Sequence, residues 1–164
     1  VLEETKILPR QLKIEVTEGT VMEHSERSMS VLSDLAAIGV SLSTDDFGTG
    51  YSSLSYLQRF PFGRMKIDRS FINEMAENDK SAAIVKTILM LGENLGIEVV
   101  AEGIETESQL EALLRLGCRY GQGYFFARPM DAESVASLLE SGLTSFGPRP
   151  AAPPTPVLEV IKVQ

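Results

Sequence analysis

Apolar and polar positions in this chain alternate between two periods, and the changes of period predict its elements. After a lead-in from Val1 to Arg10, where Pro9 closes any helix, Leu12-Lys13-Ile14-Glu15-Val16-Thr17 alternates with a period of two and predicts a strand. From Ser25 to Ile38 the apolar residues Met29, Leu32, Leu35, Ala36 and Ile38 fall at helical spacing, and Gly39 stops the run. Val40 to Thr44 predicts a second strand, leading into Asp45-Asp46. Ser52 to Arg59 predicts a helix ended by Phe60-Pro61, and Arg64-Met65-Lys66-Ile67-Asp68 a third strand. Lys80 to Leu95 predicts an amphipathic helix with Ile84, Ile88, Leu91 and Leu95 in its stripe and Gly96 as its stop. Ile97 to Ala101 is the fourth predicted strand and runs into Glu102-Gly103. Thr106 opens a helix with Glu107 and Gln109 in its first turn, Tyr120 to Phe125 predicts the fifth strand, and Ala132 to Glu140 the last helix.

Five strand-helix units joined by short connections imply right-handed βαβ crossovers and a parallel sheet. Candidate functional residues then stand near every strand end: Glu15, Asp45, Asp46, Lys66, Glu102 and Gln122. In a β/α (TIM-type) barrel those ends gather at one face. A flavodoxin-like open sheet would concentrate ligands at one switch point, so function-like residues on all five strands favour the barrel. A complete barrel takes about 250 residues, and five units predict an incomplete one. The expected organisation is a partial barrel over 1–144 and a tail over 145–164, where Pro148, Pro150, Pro153, Pro154 and Pro156 crowd together ahead of the apolar stretch Val157 to Val163.

Composition narrows the class. With 164 residues, 43% hydrophobic and 23% charged, the chain is long enough for one domain with a real core. No apolar run reaches the length of a membrane span and no signal-peptide pattern opens the chain. A net charge of −8 argues against binding duplex DNA, which requires neutralisation of phosphates by Lys and Arg. Cys118 is the only cysteine. A reducing cytoplasm fits, and its apolar neighbours predict a buried structural thiol. His24, also alone, lies in a polar stretch and is expected at the surface.

The most informative stretch is Ser43-Thr44-Asp45-Asp46-Phe47-Gly48-Thr49-Gly50-Tyr51. Adjacent carboxylates raise each other's pKa and oppose folding unless a positive group neutralises them. A hard divalent cation with oxygen ligands does this well. The plain alternative is a turn with an Asp cap. Asp-Phe-Gly also occurs in the magnesium loop of kinases, but no His-Arg-Asp segment or glycine-rich nucleotide loop accompanies it. Together Glu15, Asp45, Asp46 and Glu102 could hold one or two cations that activate water and stabilise charge on a phosphoryl oxygen. Lys66 could orient or deprotonate that water, Gln122 could hydrogen-bond a ligand, and Gly48, Thr49 and Gly50 would let the loop approach it closely. A Schiff-base lysine, as in aldolases, is a second reading of Lys66 with Asp68, but that chemistry does not require four carboxylates around it.

Glu15-Val16-Thr17-Glu18, Asp45-Asp46-Phe47-Gly48-Thr49-Gly50-Tyr51-Ser52-Ser53, Lys66-Ile67-Asp68-Arg69-Ser70-Phe71, Ala101-Glu102-Gly103-Ile104-Glu105 and Gly121-Gln122-Gly123-Tyr124-Phe125 with Pro129 together resemble the motifs of EAL domains. These are bacterial phosphodiesterases that open cyclic di-GMP to linear pGpG. The likeness runs from about Leu12 to Leu139 and implies a β/α barrel with two Mg²⁺ or Mn²⁺ ions. It makes Glu15, Asp45 and Glu102 metal ligands, with Asp46 serving the second ion. Lys66 would position or deprotonate the water and Gln122 would support the site. Glu18 would hold the Asp46-to-Ser53 loop (with Phe47, Gly48, Thr49 and Gly50), a loop that in the family also lies near a homodimer interface. Asp68 would stand behind the ligands. The family's Glu-Ala-Leu segment, the substrate-binding Arg after it and a later Asn ligand are absent. The chain is therefore expected to be a truncated domain with impaired activity, open sheet edges and exposed apolar surface. The alternative is a non-catalytic module that binds cyclic di-GMP or docks to a partner.

Overall fold

A computed structural model describes residues 2–17, 19, 25–50 and 54–140. The expectations for His24, Glu18, residues 51–53 and the proline-rich tail, with its boundary at 144, lie outside the described residues.

Five parallel strands form one sheet in sequence order: β1 (Lys13–Thr17), β2 (Ser41–Phe47), β3 (Arg64–Ile67), β4 (Glu98–Ala101) and β5 (Tyr120–Gly121). Helices Ser25–Ala37, Leu54–Arg59, Arg69–Glu74, Asp79–Leu95, Glu107–Arg115 and Ala132–Glu140 connect and follow them, and the short helix Leu2–Thr5 and a 3₁₀ turn at Pro9–Gln11 precede them. Neighbouring strands being consecutive in sequence, each crossed over by helix, is the order of a β/α barrel, here an incomplete one.

The central strand explains where the core sits. Met65 and Ile67 on β3 have no exposed surface and join Val99, Ala101, Val85, Ile88, Ile72 and Leu113 in one cluster. Between them Lys66 turns to the opposite face, because successive strand residues alternate. Edge strand β1 contrasts: it alternates exposed and half-buried residues, and Leu12, Ile14 and Val16 pack against the core while Glu15 stands exposed.

Several expectations are corrected. In the helix Asp79–Leu95 the buried stripe is Ser81, Val85, Ile88 and Gly92, while Ile84 is 40% exposed. Gly92 decides the rotation: a Cβ there would meet Ile97 O at 2.9 Å and the Val99 side chain, so this face lies flush on β4. Ile38 is 54% exposed, because the helix ends at Ala37 and the chain turns away. Asp68 does not end β3 but caps an unforeseen helix, Arg69–Glu74, accepting from Ser70 N at 3.0 Å. The fifth strand pairs only at Tyr120–Gly121. Beyond it the chain curls over buried Ile104, with Ile104 N donating to Gln122 O at 3.1 Å and Phe125 N to Ile104 O at 2.9 Å. Gly123 permits the curl, since a Cβ there would collide with the Ile104 backbone.

Cys118 is buried as expected, 1% exposed, with Sγ 3.2 Å from Tyr120 O. No helix among the described residues is long and apolar enough to cross a membrane.

Candidate metal centre

Strand alternation alone would send Asp45 and Asp46 to opposite faces of the sheet. The β2–β3 register prevents this. Thr44 pairs with Met65 and Phe47 with Ile67, so two residues, Asp45 and Asp46, stand opposite Lys66 alone. This is a β-bulge. Asp46 takes φ +54°, a left-handed conformation that Asp tolerates better than most residues, at a cost of about 1 kcal/mol. Its carbonyl is held from the loop side by Thr49 N at 3.3 Å and Thr49 Oγ1 at 2.9 Å. The result is that Asp45, Asp46 and Glu102 each offer an oxygen within 4.8 Å of the others.

The loop itself is pinned from below. Phe47, grouped with the ligand loop in the sequence, is 6% exposed and belongs to the core, so it anchors the loop and does not reach toward a ligand. Gly48 has φ +98°, and a Cβ there would meet the Phe71 ring at 2.9 Å. Thr49 and Gly50 are exposed.

Lys66 stands at the centre of the carboxylates. Its side chain is only 5% exposed, and its Nζ lies 2.8 Å from Glu15 Oε2, 2.9 Å from Asp45 Oδ1 and 2.6 Å from Glu102 Oε1. Those partners come from β1, β2 and the residue after β4. Burial by itself would lower the amine's pKa, but the carboxylates of Glu102, Glu15 and Asp45 outweigh it and hold the amine well above its usual value. Asp46 is shifted up from the usual carboxylate range, first by burial and then by the negative charges of Asp45 and Asp68, with Lys66 and Arg69 offsetting part. Asp68 is shifted down: burial opposes this, but hydrogen bonds from Ser70 prevail.

Backbone continuity places the last two residues. Glu102 N donates to Ile67 O at 3.2 Å and Gln122 N to Ala101 O at 2.8 Å, which prolongs the ladder past the formal strand ends. Gln122, 6% exposed, donates its side-chain amide to Glu102 Oε1. Glu102 is thus held between Lys66 and Gln122.

The structure therefore brings Glu15, Asp45, Asp46, Lys66, Glu102 and Gln122 to one end of the sheet, while Asp68 is engaged as a helix cap. A hard divalent cation fits this donor set. Asp45 Oδ1 is buried and accepts no hydrogen bond among the described residues, despite its ion pair with Lys66. A buried carboxylate oxygen without a hydrogen bond is costly unless a cation takes it.

One brace near the site escaped the sequence reading. Gln109 Oε1 accepts from Glu105 N at 2.8 Å and Thr106 N at 3.0 Å, and its Nε2 donates to Asn73 Oδ1 at 3.3 Å. This ties the loop after Glu102 to the helix after Asp68. The Thr106-x-x-Gln109 spacing announces the capping box, but not the partner Asn73.

The family model for the EAL domain matches residues 1–129. The bifunctional diguanylate cyclase/cyclic di-GMP phosphodiesterase MucR of Pseudomonas aeruginosa is 53% identical over 127 residues, which are 77% of this chain and 18% of MucR. The chain thus spans about a fifth of that relative's length. A solved structure of the PaMucR phosphodiesterase in complex with c-di-GMP superposes with a TM-score of 0.78 at 51% identity, covering 82% of this chain and 54% of that one. Klebsiella pneumoniae BlrP1, solved as a manganese/cyclic di-GMP complex, superposes with a TM-score of 0.73 at 38% identity, covering 77% of this chain and 32% of that one.

Proposed function

The chain belongs to the EAL domain family, and from that premise we propose that it carries part of the catalytic centre of a phosphodiesterase that hydrolyses cyclic di-GMP to linear pGpG. The observation that supports this most is the convergence of carboxylates from three strands on one buried lysine, with a bulge that turns two adjacent aspartates to the same place.

In this reading Glu15, Asp45, Asp46 and Glu102 hold two Mg²⁺ or Mn²⁺ ions; the manganese complex of BlrP1 supports the choice of metal. Bound ions of this kind make water nucleophilic near neutral pH and stabilise charge on a phosphoryl oxygen. The chain's own residues do the rest. The oxygen of water bonds to phosphorus, the bond from phosphorus to the 3′ oxygen breaks, and that oxygen leaves with a proton. Lys66, standing amid these carboxylates, positions the attacking water or takes its proton. Gln122 fixes Glu102. Glu18 restrains the loop of residues 46–53, which also serves as a homodimer contact. Asp68 fixes the start of Arg69–Glu74 behind Asp46. The domain spans 1–144, the tail 145–164 stands outside it, and a bacterial cytoplasmic location goes with a nucleotide second messenger and a free thiol. The net charge of −8 disfavours DNA and is compatible with a small anionic substrate held through metal ions.

The test is calorimetry with Mn²⁺ on the wild type and Asp45→Asn, followed by chromatography of cyclic di-GMP incubated with each. The expected result is Mn²⁺ binding by the wild type that the substitution abolishes. A folded wild type that binds no Mn²⁺ overturns the reading. Metal-dependent linear product places the hydrolysis in these residues, whereas ligand binding without turnover assigns the chain to the non-catalytic, cyclic di-GMP-binding alternative.

A further inference from the structure

The contacts of Lys66 carry more than a role toward water. An ammonium has three N–H groups, and here three carboxylates surround them at 2.6 to 2.9 Å. The hydrogen bond of Lys66 to Glu15 Oε2 and its ion pairs with Asp45 and Glu102 thus engage the ammonium within the protein. Two of its partners, Asp45 and Glu102, also belong to the group whose oxygens lie within 4.8 Å of one another around a potential cation position. A lysine ammonium and a divalent cation so close together repel, most strongly where the surroundings are poor in water. Lys66 is 95% buried by side chain, so its surroundings are of that kind.

We infer that Lys66 is the site's built-in counter-ion. It neutralises Glu15, Asp45 and Glu102 and so holds β1, β2 and β4 together in the absence of metal, and it gives up those ion pairs when divalent cations take the shared oxygens. Cation loading is then the event that frees the lysine's N–H groups for water or phosphate. This rests on the reading that the carboxylates bind cations. Linkage fixes the sign: if bound cations weaken the Lys66 ion pairs, those pairs weaken cation binding by the same factor.

The experiment is thermal unfolding of the whole chain as wild type, Lys66→Met and Lys66→Met/Glu102→Gln, each in EDTA and in excess Mn²⁺. Methionine keeps the aliphatic stem and removes the charge. In EDTA, Lys66→Met is expected to unfold about 10 °C below the wild type, because three clustered carboxylates, two of them partly buried, lose their counter-charge. The double variant should recover part of that loss, which a defect of packing alone would not do. In Mn²⁺, Lys66→Met should gain more in Tm than the wild type gains. An EDTA Tm equal to that of the wild type overturns the counter-ion role. So does a single variant that folds in neither condition and is not restored by Glu102→Gln. An Mn²⁺ gain in Lys66→Met no larger than in the wild type overturns the exchange alone. No Mn²⁺ gain in the wild type overturns the metal reading and the exchange with it.

Discussion

Replacing Gln122 by Met tests whether the residue after β5 organises the centre or only fills space. Gln122 is 6% exposed and its side-chain amide donates to Glu102 Oε1. A hydrogen bond to a charged group contributes about 1.5 to 3 kcal/mol net. Glu102 is 14% exposed on its side chain, so solvent replaces little of that loss. Methionine has similar volume and no amide to donate. What changes is that Glu102 is then fixed by Lys66 without its amide donor. Loss of such a supporting partner costs about 10- to 100-fold in metal affinity. At about 1.4 kcal/mol per tenfold this agrees with the value of the hydrogen bond. The assay is Mn²⁺ calorimetry on wild type, Gln122→Met and Gln122→Glu, with circular dichroism confirming the fold. Gln122→Glu should bind cation with a different stoichiometry or affinity, because it sets a second carboxylate beside Glu102. A Gln122→Met protein that is folded and binds Mn²⁺ within about twofold of the wild type would refute the reasoning, since the amide would then contribute nothing to placing Glu102.

Three further outcomes are expected. Gly48→Ala should lower stability by about 1 to 3 kcal/mol in urea unfolding, because φ is +98° and the new methyl would meet the Phe71 ring at 2.9 Å; a variant as stable as the wild type would show that the loop is not fixed on that ring. The Arg64 guanidinium, 2.5 Å from Glu98 Oε2, holds the Glu98 carboxyl below its usual range. The stability from this pair is present above the unfolded carboxyl value of about 4.3 and is lost as pH falls through the lower folded value. With Glu98 45% exposed it amounts to less than about 1 kcal/mol, and Glu98→Gln should flatten the acid limb of a Tm-against-pH curve; identical curves would count against it. Burial pushes the Cys118 thiol up to about 11. It should therefore resist a disulfide reagent at pH 8 until guanidinium unfolds the chain, and stability should decline as pH rises from about 8.5, where an unfolded thiol ionises, through the folded value. Rapid labelling of the native protein would contradict the burial.

The sequence by itself determined the order and kind of the main elements. Periodicity, Gly39 and Gly96 as helix stops and the acids after each apolar run depend on local chemistry, and local chemistry is written along the chain. It also pointed to the candidate ligands, because strand ends in a β/α order lie at one face. What only the tertiary structure decided concerns rotation and register. The helix Asp79–Leu95 offers more than one apolar face, and Gly92 against Val99 selects the one through Val85. The fifth strand stops at Gly121 because Gly123 folds over Ile104, a residue far away in sequence. Most important for the site, adjacent Asp45 and Asp46 reach one cluster only because β2 bulges against β3 opposite Lys66. A bulge is a relation between two strands, so no reading of either strand alone contains it.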